Sequence, residues 1–235
     1  MEPDAHVRHR YPWCMSVEKT DGTVQHRPSM SGGAPARERA LRKQGRDTMR
    51  RLLDAGRTAF SEMSYHQVRV ADVVKIAKTS HGTFYLYFSN KEDLFKALAR
   101  DAMHDVEELA ERFPMVLPSP AGHAALRSWI QEYGDLYATH SAVIRLLTQP
   151  DTVGEDLWTD GIDILGKLSK AMTTAMADAG RDAHSAELTA LSCLMMIERM
   201  NFVQSLRHLI TLERDEVTDK LTDITFAAFL STPMR

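Results

Sequence analysis

The sequence predicts an all-α fold, and three observations predict it. Apolar residues recur at the 3.6-residue helical spacing in the segments after about residue 37, and no run alternates apolar and polar side chains over a convincing strand length. The interruptions fall at Pro114, Pro118, Pro120, Pro150 and Gly180, residue types that end helices and force loops. With 235 residues, 43% hydrophobic and 26% charged, the chain can bury a real core in one or two domains. No stretch approaches the roughly 18 consecutive apolar residues of a spanning helix, and no apolar segment follows His6, Arg8, His9 and Arg10. The expectation is a cytoplasmic protein with no membrane partner.

Residues 1–36 carry Pro3, Pro12, Pro28, Gly32, Gly33 and Pro35 without sustained periodicity, and read as a disordered leader. Met15 and Met30 lie inside it, so translation starts at Met1, Met15 and Met30 all remain open. A basic run of Arg37, Arg39, Arg42, Lys43, Arg46, Arg50 and Arg51 leads into the apolar set Leu52, Leu53, Ala55, Ala59 and Phe60. Such a run is usually a solvated helix face; here it adjoins the one stretch that points to DNA.

That stretch is Val70 to Lys91. Val70, Val73, Val74 and Ala77 stand at i, i+3, i+4 and i+7, one face of a helix. The pattern breaks at Lys78 and Thr79, and Ser80 is placed to accept the Thr83 amide and start a second helix near His81. Its first turn holds His81, Gly82 and Thr83, small and polar, while Phe84 and Phe88 pack inward. This is a helix-turn-helix, whose second helix enters the major groove through its N-terminal residues. Tyr85 and Tyr87 offer hydroxyls to phosphates. Asn90 caps a third helix with Asp93 three residues on, and Lys91 at its start reads as a phosphate seat.

The ordered run Ser80, Gly82, Thr83, Tyr85, Phe88, Lys91 and Leu94, within roughly residues 44–95, resembles the DNA-binding signature of the TetR family of bacterial one-component transcriptional regulators. Two positions depart from the family pattern: Arg69 stands where a capping Thr is common, and Lys78 where a turn Gly is common. A Lys in a turn requiring positive φ costs on the order of 1 kcal/mol. The resemblance divides the chain into the leader (1–36), a helix-turn-helix DNA-binding domain (37–95) and a helical effector-binding and dimerisation domain (96–235). His81, Gly82 and Thr83 are expected at base edges, and Arg46, Arg69, Tyr85, Tyr87 and Lys91 at phosphates, with Ser80 as the cap.

Charge supports this division. Residues 37–100 hold 14 Lys and Arg against 7 Asp and Glu, whereas residues 101–235 hold 11 against 21. The basic part has the electrostatic footprint of a DNA-binding domain. Helices are expected at 90–113, 121–147 with a break near His140, 151–179, 184–210 and 213–230. The last two are apolar over much of their circumference, and the resemblance implies a four-helix dimer interface built from Leu191, Phe202, Leu206, Leu221, Ile224 and Ala228. It also implies a small-molecule pocket. Trp129, Tyr133 and Tyr137 at i, i+4 and i+8, with Trp158, Met172, Met176, Met195, Met196 and Met200, are its candidate lining, although such a stripe is more often core. A fatty-acyl or other lipid-like effector fits it.

The partners expected are therefore a palindromic duplex operator, a second copy of the chain and a small apolar effector. Other classes remain: a DNA-binding or architectural protein without an effector, and an enzyme. Asp160, Asp163, His184, Glu187, Glu198 and His208 belong to no catalytic motif, so no catalytic residue is assigned. Cys14 and Cys193 suggest neither a disulfide framework nor a zinc site, and no cofactor or metal is expected.

Overall fold

The computed structural model describes residues 43–147, 155–206 and 212–230. The leader, the basic residues Arg37, Arg39 and Arg42, and His208 lie outside the described residues. Among those described, every regular element is a helix: α1 (Lys43–Glu62), α2 (Val70–Ile76), α3 (His81–Tyr87), α4 (Lys91–Glu111), α5 (Pro120–Leu147), α6 (Glu155–Asp178), α7 (Ala183–Ser205) and α8 (Arg214–Leu230). They form two compact units that divide within α4, between Asp101 and Ala102. The division lies beyond residue 95 because Leu94, Phe95 and Leu98 of α4 are buried in the core of the first unit.

In the first unit α1 buries Met49, Leu52, Leu53, Ala59 and Phe60, the stripe that an amphipathic helix turns to a core. Gly56 lies on the same face. A Cβ there would stand 2.9 Å from Leu94 Cδ2 and 3.1 Å from Leu98 Cδ1, so its absence sets how closely α4 approaches α1. Phe60, Tyr65 and Phe95 close the core with ring centroids 5.3–5.7 Å apart.

Local capping fixes the short helices. The Arg69 amide donates to Asp72 Oδ2 at 2.9 Å to start α2. At the other end Thr79 N–H reaches Val74 O at 3.0 Å and Lys78 N–H reaches Lys75 O at 3.3 Å, the paired bonds of a Schellman turn. Lys78 takes the left-handed conformation this turn needs, with φ +51°. Ser80 Oγ then accepts the Thr83 amide at 3.0 Å to start α3, and Asn90 Oδ1 accepts the Asp93 amide at 2.8 Å to start α4.

The second unit packs α5, α6, α7 and α8 around Leu126, Trp129, Ile130, Leu168, Met172, Leu194, Ile197 and Phe229. Ser119 caps α5 through the Gly122 amide at 3.1 Å, with Pro120 as its first residue. The break expected near His140 does not occur, and α5 runs unbroken to Leu147. His140 is instead absorbed into the core, its Nε2 2.8 Å from Asp105 Oδ2. A second Schellman turn, with Gly180 at φ +94°, ends α6, and Asp182 caps α7 through the Ser185 amide. Arg181 between them donates to the carbonyl of Ala228 and to Ser185 Oγ, tying down the last turn of α8. No described helix is long and apolar enough to cross a membrane.

Candidate nucleic-acid interface

The seven residues of α3 divide cleanly. Phe84 and Tyr87, with Phe88 just beyond, are buried, whereas His81, Gly82, Tyr85 and Leu86 are exposed. The division follows from helical spacing, since positions 84, 87 and 88 share the face that meets the core. Tyr87, expected at a phosphate, is placed inward at 7% exposure, with its hydroxyl in a hydrogen bond with the Thr48 side chain. Burial raises its phenol pKa, opposed by that bond and by the positive charge of Arg51.

Lys91, also expected at a phosphate, is engaged within its own chain. Its ammonium donates to the carbonyls of Tyr65 at 2.9 Å, Val68 at 3.2 Å and His66 at 3.3 Å, and lies 4.9 Å from the centroid of the Tyr65 ring. Three N–H donors meet three acceptors, leaving none for a phosphate in this arrangement. The sequence offered no sign of this, because the acceptors are backbone atoms more than twenty residues away.

The outer surface of this unit retains Arg69 at the start of α2, Lys75 and Lys78 at its end, and Arg50 and Arg51 on α1, all exposed. Arg46 is half-buried and Thr83 is partly sheltered by Ser80, whose hydroxyl lies 2.9 Å from Thr83 Oγ1. Leu86 is exposed too, and no signal in the sequence marks it: on a helix of mixed aromatic and polar residues the outward face is defined only once the inward face is known.

In the second unit Trp129, Tyr133, Tyr137, Met172 and Met176 are brought together in the core, with Met196 and Met200 packed against them. Trp158 and Met195 are not: each is 39% exposed and lies on the surface. The Trp129 indole donates to Leu109 O at 3.0 Å, and the Tyr137 hydroxyl donates to Glu198 Oε1 at 3.4 Å. Burial first, then the Glu198 charge, hold the Tyr133 and Tyr137 phenols well above the usual range. Both therefore act only as neutral groups. A separate open groove of about 440 Å³, lined by Phe113, Met115, Val116, Leu117, Ala175 and Ala179 among others, was not foreseen.

On the last two helices, Leu188, Leu191 and Met195 expose one face of α7, and Ile224 and Leu230 are exposed on α8. Phe202, Leu206 and Ala228 are half-buried. Leu221, expected at the dimer interface, is 4% exposed and packs in the core of its own chain.

Residues 52–98 match the family model of the bacterial regulatory proteins of the tetR family. That segment is a TetR-family segment. Over 69 residues it is 38% identical to the fatty acid metabolism regulator protein of Bacillus subtilis, covering 29% of this chain and 36% of that protein. The chain thus spans about a third of the length of that curated relative. A putative TetR-family regulator from Mesorhizobium loti aligns with TM-score 0.61 and 14% identity over 80% of this chain and 98% of the other. The regulator FadR from Bacillus subtilis, solved in complex with stearoyl-CoA, aligns with TM-score 0.54 and 17% identity over 76% and 98%. These structural likenesses extend the TetR-family fold through the second unit.

Proposed function

We propose that the whole chain is a TetR-family, ligand-responsive transcriptional repressor that binds a palindromic duplex operator as a homodimer and is released by a small apolar effector. The observation that carries it is α3, a capped helix whose inner face is held by Phe84, Tyr87 and Phe88 and whose polar tip stands free on a basic unit. His81, Gly82 and Thr83 meet base edges; Arg46, Arg69 and Tyr85 hold phosphates, and Ser80 fixes the helix start. Leu188, Leu191 and Met195 with Ile224 supply the face on which a second copy packs, and two-fold symmetry sets two copies of α3 on one duplex.

The effector reading rests on the aromatic and methionine core of the second unit and on the relative solved with stearoyl-CoA. A fatty-acyl or similar lipid-like molecule suits side chains that repack as readily as Met172, Met196 and Met200. The chain acts in the cytoplasm and has no catalytic role in this account. Selection of bound fragments from random duplexes by the full chain tests the DNA reading: an enriched inverted repeat is expected, and no enrichment overturns it. Thermal-shift screening of acyl-CoA esters followed by operator release tests the switch. Ligands that stabilise the protein but leave DNA affinity unchanged remove the switch from the account.

A further inference from the structure

Gly82 has no conformational or packing reason to be glycine. A Cβ built on it would meet only Ser80 Oγ, at 3.8 Å, and its φ is not in the left-handed region. A side chain could be accommodated there, and glycine instead leaves this spot in the first turn of α3 bare. One turn on, Leu86 is 59% exposed, the most exposed large apolar residue of α3. Residues i and i+4 share a helix face, and the Cα–Cβ bond of Leu86 is tilted toward the helix N-terminus, over the turn that holds Gly82. The two make a shallow apolar notch with a leucine wall and a glycine floor.

We infer that this notch reads the 5-methyl group of a thymine in the operator, an inference that rests on the DNA-binding reading above. Leucine has no hydrogen-bonding group to offer phosphate or base edge. The major groove presents one apolar feature, the thymine methyl. The preceding helix-turn segment of the same unit carries the exposed charges of Arg69, Lys75 and Lys78, which suit a polyanionic duplex and disfavour an apolar protein surface as the occupant.

The test uses the full chain and the operator it selects from random duplexes. Each thymine is replaced in turn by deoxyuridine, which removes only the methyl group. Wild-type protein loses about four-fold in affinity at one thymine per half-site, the scale of one buried methyl group. Leu86→Ala binds the thymine operator more weakly and no longer distinguishes deoxyuridine at that position. Gly82→Ala fills the notch, and weakens the thymine operator at least ten-fold with the far-UV circular dichroism unchanged. Leu86→Ala that keeps the full deoxyuridine penalty overturns the notch, as does an operator in which no thymine is sensitive. Failure to select any duplex refutes the DNA-binding reading itself, and the notch with it.

Discussion

Replacing Lys91 separates a structural lysine from a phosphate-binding one. Its ammonium holds three carbonyls of the Tyr65–Val68 loop at 2.9–3.3 Å and rests against the Tyr65 ring, which itself packs on Phe60 and Phe95. Hydrogen bonds to a charged group contribute about 1.5–3 kcal/mol each at best, and water partly replaces them at this half-buried site. A net loss of about 2 kcal/mol for Lys91→Ala is therefore reasonable, about thirty-fold in the opening equilibrium. Amide hydrogen exchange across residues 60–95 should show protection falling by that factor in the α1–α4 core. A phosphate contact has a different signature: its removal lowers the slope of log K against log salt by about 0.9. Lys91→Ala is expected to leave the slope unchanged at temperatures where the variant is folded. A slope reduced by about one with protection intact would refute the structural assignment.

Lys78→Gly relieves a left-handed lysine at φ +51° and should stabilise the first unit by about 0.5–1 kcal/mol, the strain of about 1–2 less glycine's greater freedom when unfolded. Lys78→Ala, which keeps the strain, should show no such gain by the same exchange experiment. Gly122→Ala would set a Cβ 2.1 Å from Leu117 O, so urea unfolding followed by Trp129 fluorescence should show a loss of about 2–3 kcal/mol. Leu191→Asp should turn a dimer into a monomer in sedimentation with unfolding little changed, whereas Leu221→Ala, in the core, should cost about 2–5 kcal/mol.

The helix-turn-helix was legible because its signals are local. Ser80 and Asn90 cap where their positions suggest, and Lys78 takes up the positive φ that a turn glycine would ordinarily supply. The fates of Lys91 and Tyr87 were not legible, since their partners, the loop carbonyls and Thr48, are distant in sequence. The same holds for His140, read as a helix break until Asp105 was seen to meet it inside the core. On α7 the apolar residues wrap the helix, so periodicity alone could not divide Met195 on the surface from Met196 against the core. Leu221 and Ile224 on α8 pose the same problem, and only packing assigns one inward and the other outward.

The central claim is that two copies of this chain read one symmetric duplex. Sedimentation velocity of the full chain with its selected operator, fluorescently labelled and titrated at micromolar protein, measures that stoichiometry directly. Complexes holding chains in pairs are expected, with a duplex of scrambled half-sites bound at least a hundred-fold more weakly. A single chain bound per duplex, or equal affinity for the scrambled sequence, would contradict it.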